Sequence, residues 1–264
     1  MNPYLEFVQS IETGIRKAKG LTVSGRRQSI ESDSKVLIFS PHPDDECIVG
    51  LLPLRLMRES GRQIINVPVT FGSNVERQAE RSAELDDACG YLGWEIFRDM
   101  DNLESMEVDD IVRALSTFQP DVIFMPHSKD WNSTHISTHF LVVDALEKMD
   151  ADFSCLVVET QFWGAMTDPN LLVEGDAQYV ADLVAATSLH AGEVERNPYH
   201  LLLPAWMQDS AGRGGELIGG QGCPAPEFGF ATLYRLRRWQ SGKLAQVLEG
   251  GTALSLTADI NEIL

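Results

Sequence analysis

Short apolar runs alternate with amphipathic stretches along the first 160 residues of the chain. The apolar runs are rich in β-branched side chains and are typical of buried strands, whereas the stretches between them carry apolar residues at helical spacing. Regular alternation of strand and helix favours a parallel, doubly wound α/β sheet. The predicted strands are 36–39, 64–70, 95–97, 122–125 and 153–159, and the predicted helices are 4–19, 48–59, 75–91 and 109–118.

Beyond residue 160 this alternation gives way to a less regular pattern. A helix is expected in the second half of 172–189, and two late strands are expected over 228–237 and 243–248. Residues 207–230 contain seven glycines and little periodicity. Because long irregular segments in compact domains are often binding loops, we expect 207–230 to form a lid over the site.

The length of 264 residues fits one large α/β domain with a sizeable core. We expect a single domain over residues 1–264. Its N-terminal helix and connection would occupy 1–34, a Rossmann-like core 35–160, and a C-terminal part that completes the pocket 161–264. The amphipathic helix at 4–19 is interpreted as a packing element or as a contact in a homo-oligomer.

The charge of the chain argues against several classes of partner. Acidic residues outnumber basic ones by 39 to 21, giving a net charge of −18, which would repel nucleic acids and anionic membrane surfaces.

No apolar run reaches the 18 residues of a membrane span, and the first residues lack a secretory-signal pattern. The four cysteines are widely spaced with no CxxC pair, which indicates a reducing, cytoplasmic location.

A dense group of ionisable residues follows the first predicted strand. The group begins between two prolines with His42 and continues after the second with Asp44, Asp45 and Glu46. It lies at the carboxyl end of the strand, where open α/β sheets bind ligands. An imidazole and a carboxylate suit a divalent metal such as zinc, and a second carboxylate can take a proton from its water. Capping of the next helix explains one aspartate but not the whole group.

A second loop of similar design follows the strand at 122–125. Three of the six histidines of the chain fall here, at 127, 135 and 139. Because carboxyl ends of parallel strands meet at one edge, this loop is expected beside the first and should supply the third metal ligand. His135 and His139 are four residues apart on one helix face, so the ligand chemistry leaves both open. Asp130 is expected to hydrogen-bond the metal-binding histidine.

The sequence ProHisProAspAspGlu at 41–46 resembles the signature of the LmbE-like (PIG-L) family of metal-dependent N-deacetylases, which act on N-acetylglucosaminyl compounds. The resemblance implies a Rossmann-like fold and a bound Zn²⁺ or Fe²⁺. His42 and Asp45 would be metal ligands and Asp44 the general base. Alignment of the second loop makes His135 the third ligand. It also puts Asn132 where many members have a catalytic histidine, and an amide can donate to an oxyanion but cannot deliver a proton.

Several further residues are candidates for contact with substrate. The helix at 75–91 resembles its family counterpart, which implies that Arg81 hydrogen-bonds sugar hydroxyls, although a surface pair with Glu84 is the simpler interpretation. Glu46 and His139 are expected near the substrate, and Trp163 could stack on a sugar face or simply pack in the core. A polar segment either joins the pocket or forms a surface turn; it contains His190, Glu193, Arg196, Asn197, Tyr199 and His200.

The sequence therefore predicts an enzyme that hydrolyses the acetamide of a small amino sugar or its conjugate. An amidase for a larger glycosyl conjugate would use the same metal site. A catalytically impaired sugar-binding homologue is a further alternative, because Asn132 replaces the usual histidine. A nucleotide-binding module would need a glycine-rich first turn, and this chain has ProHisProAspAsp there.

Overall fold

A computed structural model of the chain describes residues 4–98, 103 and 105–264. Its described part is built around one mixed sheet with the strand order β3-β2-β1-β4-β5-β7-β6-β9, and β8 pairs with β7. The predicted α/β class with a mainly parallel sheet is confirmed. The strands are Lys35–Ser40 (β1), Gln63–Pro68 (β2), Glu95–Ile96 (β3), Val122–Pro126 (β4), Cys155–Thr160 (β5), Leu171–Gly175 (β6), Phe230–Gln240 (β7), Lys243–Gln246 (β8) and Thr252–Leu254 (β9).

The first five strands are parallel, and their connections create a crevice between β1 and β4. The chain leaves β1 for β2 and β3 on one side and then returns to place β4 on the other side. Leu37 in β1 therefore pairs with Ile65 of β2 and with Ile123 of β4. At such a reversal of strand order the connections diverge above and below the sheet, which opens a space at the carboxyl edge.

Helices cover both faces of this sheet because its strands are apolar on both sides. Val36 and Ile38 face one buried cluster, whereas Leu37 and Phe39 face another. The helices are Leu5–Ala18 (α1), Asp45–Ile48 (α2), Leu51–Ser60 (α3), Val75–Leu92 (α4), Val108–Phe118 (α5), Ser133–Glu147 (α6), Ala177–Ser188 (α7), Ala191–Arg196 (α8) and Leu203–Gly219 (α9).

The predicted helix at 48–59 is divided into α2 and α3 around Gly50. A Cβ atom at this position would lie 2.8 Å from the carbonyl oxygen of Glu46 and 2.8 Å from the indole of Trp94. Glycine is therefore required for this close approach. The short helix α2, which carries Asp45 and Glu46, is thereby separated from α3.

The C-terminal part extends the same sheet in antiparallel fashion. Strand β7 runs antiparallel to β5 and to β6, so the late strand predicted at 228–237 is confirmed. Strand β6 was not predicted, because its short apolar run was grouped with the helix that follows it. The extension brings α7, α8 and the 3-10 helix Tyr199–Leu202 back toward the edge where β1 ends.

The prediction of a glycine-rich lid over 207–230 is wrong for most of its length. Residues up to Gly219 form helix α9, which begins at Leu203. A Cβ at Gly214 would lie 2.5 Å from the side chain of Leu172, and one at Gly215 would lie 2.2 Å from the carbonyl oxygen of Pro224. These glycines serve close packing of the helix, and this outweighs their low helix propensity.

Helix α1 is present as predicted, but it does not pack into the body of the protein. All of its residues, Leu5 to Ala18, are described, and none of them is buried. The connection that follows is tied down by Arg27, which donates to Asp182 of α7 at 2.7 Å. Among the described helices, none is long and apolar enough to cross a membrane.

Candidate metal centre and active site

The first chemical loop turns sharply between β1 and α2. Asp45 opens α2, and its Oδ2 accepts a hydrogen bond from the backbone N–H of His42 at 3.0 Å. The preceding residue, Asp44, has φ 121° and ψ −34°, a conformation that a non-glycine residue adopts only under strain. Such strained residues are concentrated at functional sites, where the surrounding structure holds them in place.

His42, Asp45 and His135 come together at the carboxyl edge of the sheet. Each offers one ligand atom, and these atoms lie within 4.8 Å of one another. Oδ2 of Asp45 is 3.3 Å from Nδ1 of His42 and 3.1 Å from Nε2 of His135. The parallel strands β1 and β4 thus bring both loops to one point, as the sequence predicted.

The donor set fits a divalent metal ion. Nε2 of His135 is buried and has no hydrogen-bond partner among the described residues, although Asp45 is close. The other nitrogen, Nδ1, lies 3.5 Å from Oδ2 of Asp130, a carboxylate that itself accepts from the backbone N–H of Asn132 at 2.8 Å. A histidine backed by a carboxylate and presenting a free nitrogen is the usual arrangement for zinc. Three protein ligands leave a position for water.

Charges in this cluster stabilise one another strongly. Burial opposes ionisation of Asp45, but His135 and His42 outweigh it and hold the pKa of Asp45 well below its ordinary value. Burial also opposes a charge on His135, yet Asp45 and Asp130 raise its pKa to about 10. The carboxylates therefore favour a positive charge at this point, which a proton on His135 or a bound cation can supply.

Asp44 is buried beside this cluster but in a different environment. Burial, together with the charge of Asp45, raises the pKa of Asp44 to about 8. Its Oδ2 accepts a hydrogen bond from the hydroxyl of Tyr199. Burial and the nearby Asp44 carboxylate hold the pKa of Tyr199 far above its ordinary value, so the phenol stays protonated and donates. The two adjacent aspartates thus have distinct surroundings.

Glu46 does not face the cavity, contrary to the expectation that it contacts substrate. Its side chain is fully buried and accepts from Nε2 of His190 at 2.8 Å. The other carboxylate oxygen accepts from the backbone N–H of Asp44 at 2.9 Å. Glu46 points inward because α2 turns it toward α7 and α8, where His190 provides a partner for its charge. It supports the strained backbone of Asp44.

A polar cavity of about 230 Å³ opens over the metal-ligand cluster. Arg81 lies in its wall, where it donates to the carbonyl oxygens of Phe71 at 3.2 Å and Pro43 at 3.4 Å. The alternative surface pair with Glu84 is not formed, since Glu84 accepts from the backbone N–H of Gly192 instead. The cavity is lined by His42, Asp44, Asp45, Gly72, Ser73, Arg81, Asn132, Trp163, Glu193 and Arg196.

Two other predicted residues, Asn132 and Trp163, also line this cavity. Asn132 caps α6, its Oδ1 accepting from the backbone N–H of Thr134 at 2.8 Å. This leaves the NH₂ group as the polar atom that it can present to a ligand. Trp163 is 40% exposed, and its ring meets that of Tyr199 edge to face at 5.7 Å. The simpler interpretation of Trp163 as a core residue is therefore excluded.

His139 lies apart from both the metal-ligand cluster and the lining of the cavity. Its Nδ1 is 2.9 Å from the carbonyl oxygen of Pro126, and Glu159 is 3.7 Å away. Burial lowers the pKa of His139, which favours the neutral ring. One helical turn separates His139 from His135, and this turn carries it down toward the sheet, so the expected substrate contact is not formed.

Sequence reasoning missed the roles of His190 and Tyr199, although it noted the polar segment that contains them. They are separated from their partners by 144 and 155 positions along the chain, and no periodicity links them. The distribution of polar residues could not distinguish these two from Arg196, which is largely exposed.

Taken together, the fold and the site define an α/β protein with a candidate metal centre and an adjacent carboxylate at the carboxyl edge of its sheet. The model of the PIG-L family, described as GlcNAc-PI de-N-acetylase, matches residues 37–146, which include both chemical loops. The family resemblance seen in the sequence is thereby confirmed over this segment. No curated protein matches the sequence at a significant level.

Solved structures share the fold at low sequence identity. N,N'-diacetylchitobiose deacetylase from Pyrococcus horikoshii is 19% identical with a TM-score of 0.56, over 79% of this chain and 84% of that chain. The zinc-inhibited form of teicoplanin deacetylase Orf2 is 13% identical with a TM-score of 0.57, over 79% and 99%. GalB, a 4-carboxy-2-hydroxymuconate hydratase from Pseudomonas putida, is 17% identical with a TM-score of 0.56, over 77% and 95%. Because one fold carries both reactions, the site must decide the chemistry.

Proposed function

We propose that this protein is a metal-dependent hydrolase that removes the N-acetyl group from an amino sugar or its conjugate and releases acetate. The observation that carries the proposal is the pairing of a His–Asp–His cluster with a separate buried carboxylate, Asp44, in one polar cavity. The match of residues 37–146 to a de-N-acetylase family supports the same reaction.

His42, Asp45 and His135 would hold the metal, for which we propose Zn²⁺, with Fe²⁺ as the alternative. A bound metal of this kind supplies a polarised acetyl carbonyl and a water of lowered pKa. The nitrogen and oxygen donors of the cluster suit either ion. Asp130 would fix the ring of His135 through its Nδ1.

Asp44 would accept the proton of the attacking water. A group with a pKa near the working pH transfers protons in both directions, and burial beside Asp45 gives Asp44 that character. Asn132 would donate through its NH₂ group to the oxygen that becomes negative. Asp44, now protonated, would return the proton to the leaving nitrogen, so that amide and water become acetate and a free amine.

The cavity is proposed to take the sugar. Its volume of about 230 Å³ and its polar lining suit a small polar ring. Arg81 and Trp163 both line it, and we expect the guanidinium to donate to sugar hydroxyls and the indole to stack on a sugar face. The names of two structural neighbours, a chitobiose deacetylase and a teicoplanin deacetylase, are consistent with an acetylated amino-sugar substrate.

Two further features belong to the proposal. The four free cysteines, three of them buried, support a cytoplasmic location. The exposed apolar residues of α1, among them Leu5, Phe7 and Val8, support a homo-oligomer. The acidic surface argues against nucleic acid as a partner.

The test combines metal analysis with acetate release from N-acetylglucosamine and N,N'-diacetylchitobiose. Metal is added at one equivalent and in excess, because one structural neighbour is described in a zinc-inhibited form. Asp44→Asn is the matched control: it should keep the metal and lose about 10²–10⁴-fold in turnover. Stoichiometric metal without acetate release from any N-acetylated sugar would refute the proposal, as would normal turnover in the control variant.

A further inference from the structure

Tyr199 reaches the site from outside the segment that matches the de-N-acetylase family. It lies in the 3-10 helix Tyr199–Leu202, more than 50 residues beyond position 146, where the match ends. The side chain is 5% exposed, and its ring packs edge to face against Trp163 at 5.7 Å. Its hydroxyl donates to Oδ2 of Asp44. The contact therefore joins the C-terminal part of the chain to the aspartate of the first loop.

The Asp44 side chain needs such support because its backbone is strained. Its positive φ of 121° is held by a hydrogen bond from its N–H to Glu46 and by hydrogen bonds from Cys47 and Ile48 to its carbonyl oxygen, which fix the main chain but not the carboxylate. Rotation of the side chain would move the carboxylate away from the ligand cluster. Tyr199 is the described residue that hydrogen-bonds this carboxylate.

The hydrogen bond also gives the two carboxylate oxygens of Asp44 different roles. With Oδ2 engaged by the phenol, the other oxygen is left to accept a proton. A charge-assisted hydrogen bond of this kind is directional and about twice as strong as one between neutral groups. It holds the acceptor in one orientation, and misplacement of a catalytic group by about 1 Å can cost about 100-fold in rate.

We propose that Tyr199 is a positioning residue that acts through Asp44, orienting its carboxylate for proton transfer. This inference rests on the proposed deacetylase function and adds to it a residue from a different part of the chain. Tyr199 does not join the metal-ligand cluster, and its ring makes the aromatic contacts without the hydroxyl. Removal of the hydroxyl alone should therefore affect the rate and leave metal and substrate binding unchanged.

The experiment compares Tyr199→Phe with Tyr234→Phe in the metal-loaded protein. Tyr234 is fully buried, and its hydroxyl bonds the backbone of Val49 at 2.8 Å and Leu52 at 3.1 Å, neither of which lines the cavity. Tyr199→Phe should lower kcat by about 10- to 100-fold, the worth of one hydrogen bond to a charged group. KM and metal content should stay within about twofold. Tyr234→Phe should leave kcat unchanged.

A double-mutant cycle separates positioning from a general structural effect. In the Asp44→Asn background, where there is no base to orient, Tyr199→Phe should change the residual rate by less than about twofold. An equal loss in both backgrounds would overturn the proposal, as would an unchanged kcat or a loss of metal in Tyr199→Phe. Failure of the wild-type protein to release acetate would instead refute the deacetylase function, and the positioning role with it.

Discussion

Removal of His190 should destabilise the protein strongly, because it leaves a carboxylate buried without its partner. His190 and Glu46 are both fully buried, and Nε2 of His190 lies 2.8 Å from Oε1 of Glu46. Breaking a buried pair by deleting one member costs about 3–5 kcal/mol. For a protein of about this size each kcal/mol moves Tm by about 2–4 °C, so His190→Ala should lower Tm by about 6–20 °C.

His139→Ala is the matched control for this variant. His139 is also buried, and its ring bonds a backbone carbonyl at 2.9 Å, so its removal deletes the same volume and one hydrogen bond. It leaves no unpaired charge, since the nearby Glu159 keeps its ion pair with Arg235. Thermal and urea unfolding of the two variants should therefore differ by the cost of the buried Glu46 carboxylate.

The loss of unfolding free energy in the two variants should also depend on pH in different ways. Burial opposes a charge on His190, but Glu46, Asp44 and Glu84 outweigh it and raise its pKa above 6.5. A raised folded-state pKa gives stability that is complete below the unfolded pKa of about 6.5 and is lost as pH rises through the folded value. The gap in unfolding free energy between wild type and His190→Ala should therefore narrow with rising pH. Burial lowers the pKa of His139, so the corresponding difference between wild type and His139→Ala should not narrow.

Two results would refute this reasoning. A loss below about 1 kcal/mol in His190→Ala would mean that the carboxylate is not left unpaired in a dry interior. A gap that widens with rising pH would mean that the folded protein holds His190 in its neutral form. Both readings use the same unfolding curves, collected from pH 6 to pH 9.

Three further predictions concern the ligands, a buried ion pair and helix α9. His135→Ala should abolish stoichiometric metal binding, measured by elemental analysis, whereas His139→Ala should keep the metal; the opposite result would move the third ligand by one helical turn. Asp182→Asn should lower the free energy of unfolding at neutral pH. Burial opposes ionisation of Asp182, but hydrogen bonds from Arg27 and Arg58 outweigh it and lower its pKa. The difference from wild type should therefore be complete above the unfolded pKa of about 4 and should be lost as pH falls through the lower folded value. Gly215→Ala should destabilise the fold by more than about 1 kcal/mol in urea titration, because its Cβ would lie 2.2 Å from a carbonyl oxygen. Gly212→Ala, where the added Cβ meets open space, should be neutral or stabilising. Equal effects of the two substitutions would refute the packing argument.

The sequence predicted the parallel half of the sheet because buried parallel strands leave a strong local signal. The runs at β1 and β4 are apolar on both faces, and a proline at or directly after the end of each strand is followed by ionisable residues. Local pattern and topology therefore predict that the two loops carrying His42, Asp45 and His135 lie at one edge of the sheet. The choice between His135 and His139 came from family resemblance, since both have the same residue type and lie on one helix.

The C-terminal half was predicted less well because its signals are not local. The glycines of α9 have low helix propensity. The contacts that explain them, with the side chain of Leu172 in β6 and with the carbonyl of Pro224 after the helix, exist only in the folded protein. The sequence groups Glu46 with Asp44 and Asp45, which do line the cavity. Only the position of His190 in the folded protein explains why this glutamate points inward.

The C-terminal part of the chain contributes two contacts to the surroundings of Asp44. The proposed metal ligands lie directly after β1 and near the start of α6, on elements held by the parallel sheet. Asp44 lies between them in a strained conformation. His190, through Glu46, supports its backbone, and Tyr199 binds its carboxylate. A strained residue persists only where the surroundings over-determine it, so the antiparallel extension that carries this segment back to the edge of β1 supplies what the matched family segment lacks.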